Sequence, residues 1–314
     1  MATKKANNEV QQQLESVFQR FPLLLVHGIP LMEPIAQRWA EVENFEARPD
    51  DLVIATYPKA GTTWTQEIVD LILAAGDTEK SQRAPMQVRI PFLEYCTPPP
   101  LPSGIDRLVN APSPRVMKTH LPFQLLPKSF LEKDCKIIYV ARNAKDTVVS
   151  YFFFDQMHLM QPDPGPWNGY VTKFMEGNVP WGSWYDHVRC YWEKKANHRI
   201  LYLFYEDMKE DLVREIRRMT DFLEVDLPED IVDKIAHHTS FQIMKDNPMA
   251  NYDTVPSTIF DRTKSSFMRK GEVGDWKNYF TVAQNEAFDA DYLRKMEGTS
   301  LHFRNVLNSQ KKFS

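Results

Sequence analysis

The sequence predicts an α/β fold, with a single domain over residues 1–314 built on a central parallel sheet that is flanked by helices. Short apolar runs alternate along the chain with segments of helical periodicity, and no change of composition marks a linker between two domains. This alternation is typical of parallel sheets, whose strands are joined by right-handed crossovers. We therefore expect helices on both faces of the sheet.

Four apolar runs are predicted to be buried strands, and helical patterns follow three of them. The strands are residues 52–56, 115–119, 136–141 and 200–205, and the helices are residues 64–75, 144–154 and 209–223. Two proline-rich stretches, 83–114 and 155–182, are predicted to be long loops, which often form lids or walls of binding sites. Residues 1–20 are predicted to be a flexible or helical N-terminal extension.

The segment from Thr56 to Trp64 reads Thr-Tyr-Pro-Lys-Ala-Gly-Thr-Thr-Trp and joins the first predicted strand to the first predicted helix. Backbone N–H groups at a helix start lack an intrahelical partner and carry the positive end of the helix dipole, so such a turn binds phosphate or sulfate. Lys59 adds a positive charge, and Thr62 and Thr63 add hydroxyl donors. We interpret the segment as a P-loop-like seat for the 5′ anion of a nucleotide.

An ordinary strand-to-helix turn is the alternative interpretation of this segment. Lys59 precedes Gly61, whereas the lysine of a Walker A loop follows the last glycine. The dinucleotide motif G-x-G-x-x-G is absent. Thr63 and Gln66 also fit a capping box, which by itself would account for the threonine.

The composition excludes several classes of function. The net charge of −4 and the pI of about 6.1 argue against a general nucleic-acid binder. Cys96, Cys135 and Cys190 are too few and too far apart for a disulfide framework or a zinc site, and no Asp/Glu cluster suggests another metal. Residues 1–20 lack the apolar core of a signal peptide, and the apolar run 21–26 is too short to span a bilayer. We therefore expect a cytosolic protein without a metal ion or a membrane anchor.

Polar side chains follow all four predicted strands, at the edge where ligands bind in open α/β sheets. Taken singly, each has an ordinary explanation: a lone histidine at a strand end is usually a plain hydrogen-bonding residue, and Arg142 could pair with Asp146 at a helix start. Together they favour a polar site. In chain order they are Lys59, His120, Arg142 with Ser150 two turns further on, and Tyr205.

The segment Arg269-Lys270-Gly271 places two cations beside a flexible glycine. A solvated loop is the usual setting of such a charge pair. The functional interpretation is a flap that forms a second phosphate clamp, because arginine binds phosphate in bidentate fashion and glycine lets the backbone approach closely.

Taken together, these motifs resemble the cytosolic sulfotransferases, and most closely their phenol-type branch, over roughly residues 45–305. The matching segments are the 5′-phosphosulfate loop at 56–64, the catalytic-histidine strand at 118–122, the 3′-phosphate segment at 142–150, the C-terminal nucleotide flap at 269–276 and the dimer signature at 277–286.

The resemblance implies that the donor is 3′-phosphoadenosine 5′-phosphosulfate (PAPS). Three groups of residues would hold it: Lys59, Gly61, Thr62 and Thr63 for the 5′-phosphosulfate; Arg142, Ser150, Arg269, Lys270 and Gly271 for the 3′-phosphate; and Trp64, Phe241, Tyr205 and Thr239 for the adenine. Trp64 also begins the apolar face of its helix, so that a core position is equally compatible with its spacing.

The resemblance further implies in-line transfer of a sulfuryl group to an acceptor hydroxyl without a metal ion. His120 would be the general base, Lys59 would stabilise the leaving bridging oxygen, and Lys118 would neutralise the transferring group. Ser150 would hold Lys59 away until an acceptor arrives.

The implied acceptor is a small phenol or related aromatic molecule. Its pocket would combine Lys118 and His120 with the aromatic side chains of Phe92, Phe154, Tyr252 and Phe267. The sequence does not choose among simple phenols, estrogens, iodothyronines and aryl amines, which leaves xenobiotic, steroid and thyroid hormone metabolism open. A homodimer through Lys277, Thr281, Val282 and Glu286 is also implied, although these residues would equally fit an exposed helix start.

Two other classes of function compete with this interpretation. A kinase with a degenerate phosphate loop would require Mg²⁺ and an acidic ligand after a strand, and no such ligand is evident. A non-catalytic nucleotide-binding protein would be expected to have lost Lys59, His120 or Ser150, and all three are present.

Overall fold

The structure, a computed structural model, describes residues 19–96 and 102–307, so that nearly all of the predicted N-terminal extension lies outside the described residues. A parallel sheet in the order β4-β3-β5-β6 forms its centre, and an antiparallel hairpin of β1 and β2 precedes it. The strands are β1 (Leu23–Val26), β2 (Ile29–Met32), β3 (Leu52–Thr56), β4 (Val116–Thr119), β5 (Lys136–Ala141) and β6 (Ile200–Phe204).

Helices surround this sheet, and three short 3₁₀ helices at Lys80–Gln82, Phe123–Leu125 and Asp275–Asn278 join them. The α-helices of the described residues are α1 (Glu33–Gln37), α2 (Trp39–Glu43), α3 (Thr62–Leu73), α4 (Met86–Arg89), α5 (Gly104–Val109), α6 (Lys128–Glu132), α7 (Ala144–Met157), α8 (Trp167–Glu176), α9 (Trp184–Lys194), α10 (Tyr205–Glu210), α11 (Leu212–Leu223), α12 (Glu229–His238), α13 (Phe241–Asp246) and α14 (Val282–Lys295).

The fold class and all four predicted strands are confirmed. β3 and β5 have the predicted bounds, β4 begins one residue later, and β6 ends one residue earlier because Tyr205 starts α10. Every residue of β3 is buried, which explains its unbroken apolar sequence, since a parallel strand covered on both faces needs no polar side.

Alternate side chains of the strands enter two separate hydrophobic clusters, one on each face of the sheet. Val53 and Tyr139 belong to the cluster that also contains Trp184 of α9, whereas Ile54 and Ile138 belong to the cluster that contains Ile68 of α3. Helices therefore cover both faces, as the alternation of strands and helices predicted.

Several predicted boundaries were wrong, for identifiable reasons. The predicted helix 209–223 is two helices, because Asp211 leaves the helical conformation and its carboxylate accepts a hydrogen bond from the backbone N–H of Arg214, which caps α11. The predicted loop 83–114 contains α4 and α5, and the predicted loop 155–182 contains α8. Pro85 and Pro166 directly precede α4 and α8, so prolines that suggested loops mark helix starts instead.

The three cysteines are free thiols, with Cys96 and Cys135 buried and Cys190 half-buried. Within residues 19–96 and 102–307, no helix is long and apolar enough to cross a membrane. The same residues contain no group of three or more His, Cys, Asp or Glu side chains able to hold a metal ion.

Candidate active site

A cavity of about 380 Å³ lies at the carboxyl ends of the parallel strands. Every residue predicted to bind a donor or an acceptor lines it. They are Lys59, Gly61, Thr62, Thr63, Trp64, Phe92, Lys118, His120, Arg142, Ser150, Phe154, Tyr205, Thr239, Phe241, Tyr252, Phe267, Arg269, Lys270 and Gly271. Residues that are distant in sequence thus share one concave site.

The loop between β3 and α3 depends on left-handed backbone at Lys59 (φ 67°) and Gly61 (φ 106°). A Cβ atom at Gly61 would lie 2.9 Å from Cδ2 of Tyr205, so that this turn requires glycine. Gly61 is also the N-cap residue, and no side chain caps the first turn of α3. The capping box that the alternative interpretation allowed for Thr63 and Gln66 is therefore not formed, and the helix start keeps its backbone donors for an anion.

Lys59 extends from this loop toward the aromatic side of the cavity. Its Nζ lies 4.4 Å from the ring centroid of Phe154 and 4.3 Å from that of Phe267. Burial, together with the positive charges of Lys118 and Arg142, lowers the pKa of Lys59 from its usual 10.5 to about 7. Lys59 and Ser150 line the same small recess, and no hydrogen bond joins them within the described residues. The restraint of Lys59 by Ser150 stays a prediction.

His120 directly follows β4, and its Nδ1 lies 2.8 Å from the carbonyl oxygen of Thr56. A carbonyl only accepts hydrogen bonds, so we assign the proton to Nδ1, which leaves Nε2 as the acceptor. Burial, reinforced by the nearby charge of Lys118, holds the pKa of His120 well below its usual value. The imidazole is therefore neutral at neutral pH and able to accept a proton.

Lys118 lies two residues before His120, and both face the cavity because alternate residues of a strand share a face. Its Nζ lies 3.3 Å from Oη of Tyr252 and 4.6 Å from the ring centroid of Phe92. The ammonium group of this strand residue therefore lies against the aromatic part of the cavity, where Phe92 also contacts His120.

Arg142, at the end of β5, joins two other segments of the site. Its Nη1 donates to the carbonyl oxygen of Lys59 (3.3 Å) and its Nη2 to that of Glu272 (2.8 Å). The guanidinium lies 4.4 Å from the ring centroid of Tyr205, and its Nε is buried without a hydrogen-bond partner among the described residues. A buried, unpaired N–H on a cation is suited to binding an anion.

Asp146 does not form the ion pair with Arg142 that its spacing allowed. Its carboxylate instead accepts hydrogen bonds from the backbone N–H groups of Gly274 (2.8 Å) and Trp276 (3.0 Å). The start of α7 thereby anchors the C-terminal segment beside the cavity.

Arg269 and Lys270 are held in place by one acidic side chain. Arg269 Nη2 lies 2.7 Å from Oδ2 of Asp275, and Lys270 Nζ lies 2.6 Å from Oδ1. Asp275 and Glu272 balance the charges of Arg269 and Lys270, and Arg142 supplies the excess positive charge of this corner of the cavity. The solvated-loop alternative does not fit this ordered arrangement.

The aromatic residues predicted to enclose a base lie on the same side as these cations. Trp64 packs edge-on against Tyr205 with ring centroids 5.4 Å apart. Gly271 has a φ of 66°, and a Cβ atom there would lie 2.3 Å from Cδ2 of Phe241, so glycine is needed for this close approach. Thr239 donates its hydroxyl proton to the carbonyl oxygen of Ile235 (2.9 Å), which leaves its hydroxyl oxygen as an acceptor.

Several residues of the opposite wall were not predicted from the sequence. Tyr95, His158, Gln161 and Trp181 line the cavity, and the buried Oε1 of Gln161 has no hydrogen-bond partner among the described residues. All four lie in or beside the stretches predicted as loops. The aromatic and polar content of those stretches was the available signal, but no spacing pattern connected it to a strand end.

Comparison with known proteins identifies the family and the fold. Residues 49–300 match the sulfotransferase domain family. The chain belongs to the sulfotransferase family. This sulfotransferase is 55% identical over 287 residues to Sulfotransferase 1B1 of Canis lupus familiaris, covering 91% of this chain and 97% of that protein. It is 56% identical over 278 residues to human Sulfotransferase 1C2, covering 88% and 94% of the two chains.

Solved structures with the same architecture contain the nucleotide PAP. This sulfotransferase superposes on retinol dehydratase in complex with retinol and PAP with a TM-score of 0.81 and 26% identity, covering 92% of this chain and 94% of that one. Mouse sulfotransferase SULT7A1 complexed with PAP gives a TM-score of 0.72 and 34% identity, covering 88% and 95%. The predicted family and fold are thus confirmed, and the chain is a transferase.

Proposed function

We propose that this sulfotransferase transfers the sulfuryl group of PAPS to the hydroxyl of a small phenolic or related aromatic acceptor, with His120 as the general base. The observation that carries the proposal is that His120 lines the same cavity as Lys59 and Lys118 while its Nδ1 is bound to the Thr56 carbonyl, which leaves Nε2 as the acceptor. A base and two cations beside an anion-binding helix start suit transfer of an anionic group to a hydroxyl.

The residues of the cavity fit PAPS. The uncapped start of α3 suits the 5′-phosphosulfate, and the unpaired Nε of Arg142 with the cations at Arg269 and Lys270 suits the 3′-phosphate. Trp64 and Phe241 offer flat surfaces to the adenine, and the Thr239 hydroxyl oxygen is free to accept from its amino group. PAP in the solved relatives supports the same donor, since PAP is PAPS without its sulfuryl group.

PAPS supplies the sulfuryl group when bound, and the chain supplies position and charge. The Thr56 carbonyl holds His120 so that Nε2 accepts the proton of the acceptor hydroxyl. Lys118 stabilises negative charge on the group in transit, and Lys59 stabilises it on the oxygen that departs. Cations neutralise this charge, so the proposed reaction requires no metal ion.

The proposal of an aromatic acceptor is supported by the rings around His120. Phe92 lies 4.9 Å from the imidazole centroid, and Tyr252 and Phe267 pack 4.3 Å apart further along the wall. Such a pocket buries flat apolar molecules and orients them with a few polar groups. The relatives are named as sulfotransferases of family 1, which is compatible with phenols but does not choose among them.

We also propose that the protein acts in the cytoplasm, in metabolism of xenobiotics or of steroid or thyroid hormones, as a homodimer. Three free thiols fit a reducing compartment. Residues around the start of α14 would form the dimer contact.

The decisive assay incubates the enzyme with labelled PAPS and a simple phenol in the presence of EDTA. We expect a labelled sulfate ester, and we expect His120→Ala to lower turnover about 10²- to 10⁴-fold, the usual contribution of a general base, while PAP binding is kept. Transfer in EDTA would exclude a Mg²⁺-dependent kinase and a non-catalytic binder. Full turnover by His120→Ala would exclude His120 as the base.

A further inference from the structure

Glu94 is a fully buried carboxylate that does not line the cavity and so touches neither donor nor acceptor. Its Oε1 accepts hydrogen bonds from the backbone N–H of His120 (2.7 Å) and from Nε1 of Trp181 (3.0 Å). Its Oε2 accepts from the hydroxyl of Thr119 (2.8 Å). One side chain thus joins the end of β4 to the opposite wall of the cavity.

A buried carboxylate is costly unless donors compensate for the lost water. Within the described residues Glu94 has no ion pair, and burial raises its pKa to about 7 despite its three hydrogen bonds. A neutral side chain that keeps a carbonyl oxygen, such as glutamine, would fill the same space without a buried charge. The arrangement therefore suggests a role for the hydrogen bonds other than stability.

Three hydrogen bonds determine where His120 lies, and the bond from its backbone N–H to Glu94 is one of them. The carbonyl oxygen of His120 accepts from Nε2 of His187 (3.0 Å), and its Nδ1 is held by the Thr56 carbonyl (2.8 Å). Glu94 completes this set by holding the backbone N–H, so that His120 is fixed at three points. Fixed geometry of this kind is what a proton transfer requires.

Trp181, whose indole donates to Glu94, has an unusual backbone conformation. It has a left-handed backbone (φ 64°), which is uncommon for a residue other than glycine. Its indole packs edge-on against the His120 imidazole, with centroids 5.3 Å apart, and stacks on Phe92 at 5.9 Å. The Glu94 carboxylate therefore binds both Trp181, in the wall that would contact an acceptor, and His120, the base that would receive the proton.

We propose that Glu94 is a positioning residue for the transfer reaction: through its hydrogen bonds it fixes His120 and Trp181 relative to each other, so that an acceptor held against the wall presents its hydroxyl to Nε2. This inference rests on the proposed role of His120. It adds a residue that acts through His120 and Trp181 rather than on the reacting atoms.

The test compares Glu94→Gln with Glu94→Met. Glutamine keeps a carbonyl oxygen for His120 and Trp181 and is expected to stay close to wild type. Methionine has similar length but accepts no strong hydrogen bond, so we expect kcat to fall about 100-fold, as for a reacting group displaced by about 1 Å, and the KM for the phenol to rise. PAP affinity should remain unchanged, because no residue assigned to the donor contacts Glu94.

Glu215→Met is the matched control, because Glu215 is equally buried but bonds only to Arg214 and Arg218 on its own helix. It should leave kcat and KM of the folded protein unchanged. If Glu94→Met fails to fold, Trp181→Phe decides, since it removes the indole N–H that donates to Glu94, together with the five-membered ring, and keeps an aromatic ring beside His120. We expect it to lower kcat in the same direction by a smaller factor.

Wild-type kcat and KM in Glu94→Met, or in Trp181→Phe where the first variant does not fold, would overturn the inference. A kcat in Glu94→Gln as low as in Glu94→Met would also contradict it, because hydrogen-bond geometry would then not be the cause. These failures differ from failure of the proposed function, which would appear as full turnover in His120→Ala.

Discussion

The protonation state of Lys59 depends on the charge of whatever occupies the cavity. With its pKa lowered to about 7 by burial and by neighbouring cations, Lys59 is mostly neutral above pH 7 and mostly charged below it. A phosphate or sulfate placed beside Nζ favours the charged form and raises this pKa again. Donor binding at alkaline pH should therefore bring a proton into the site.

We expect PAP binding at about pH 8 to take up close to one proton, and binding at about pH 6 to take up much less, because Lys59 is already charged there. Calorimetric titrations in buffers of different ionisation enthalpy measure this number directly. Lys59→Met should abolish the uptake at the higher pH. Equal uptake in wild type and variant would show that another group titrates.

Arg269 offers a test of the 3′-phosphate assignment. Its guanidinium is oriented by Asp275 at the cavity edge. We expect Arg269→Ala to weaken PAP about 10- to 100-fold, the value of one or two hydrogen bonds between charged groups, but to change the affinity of adenosine 5′-phosphate little. Isothermal titration of both nucleotides measures the difference.

Arg294→Ala is the control for this experiment, since Arg294 lies on α14 and pairs with Asp291. It should leave both affinities unchanged. Equal losses for the two nucleotides in Arg269→Ala would contradict the clamp.

At the scale of elements, the C-terminal segment from Arg269 to Trp276 is attached to the sheet through its backbone rather than through a strand. Asp146 of α7 holds two of its N–H groups, and Arg142 at the end of β5 holds a carbonyl. These hydrogen bonds thus fix the position of the segment relative to the sheet, although the segment contributes no strand to it. Arg269 and Lys270 at its start line the cavity, where they can bind a ligand.

Gly271→Ala tests whether the contact of this segment with Phe241 matters for the donor. The added methyl group would collide with the Phe241 ring, so we expect the segment to shift and PAP to bind more weakly. The left-handed backbone alone should lower the free energy of unfolding by about 1–2 kcal/mol. Thermal unfolding and PAP titration measure the two effects separately.

Gly298→Ala is the matched control, because Gly298 has a φ of 78° and open space around its Cβ position. It should lose a similar amount of stability and keep its PAP affinity. If both variants bind PAP equally, the close approach at Gly271 has no role in donor binding.

At the scale of the whole molecule, the start of α14 is an exposed surface. Thr281 and Gln284 form a capping box there, and Val282 is 76% exposed. An ordinary exposed helix start would explain the capping residues, and a single exposed valine is also common. The proposed dimer contact would cover it.

Val282→Glu should shift the protein from dimer to monomer, because a carboxylate in an apolar contact loses its water without gaining a partner. Sedimentation velocity at micromolar concentration measures the change. Leu25→Glu, at a similarly exposed position of β1 (74%), should leave the sedimentation coefficient unchanged. A wild-type protein that sediments as a monomer would contradict the proposed dimer.

The parts of the site that could be predicted are those that follow strand ends. Parallel strands align their carboxyl ends, so Lys59, His120 and Arg142 had to converge once the strands were recognised. The strands themselves could be predicted because a strand that is buried on both faces has an almost continuous apolar sequence.

The parts that could not be predicted depend on contacts between distant segments. Glu94 and Trp181 lie 87 residues apart and meet only through tertiary packing. Thr63 fitted a capping box by spacing, yet the N-cap residue is Gly61, which has a left-handed backbone. Tyr205, which leaves no room for a larger residue at Gly61, comes from a distant part of the chain. The direction of the Lys59 side chain was equally unpredictable, since it depends on two rings from elsewhere in the chain.

The indole of Trp276 donates to the carbonyl oxygen of Asn305 (2.8 Å), so that the last described residues support the segment that carries Arg269 and Lys270. A polypeptide trimmed for crystallisation just before Asn305 would lose this support, although the deletion is remote from the cavity in sequence. Truncated versions of the protein should therefore keep all residues up to at least Val306. A purification tag added after them should be attached through a spacer.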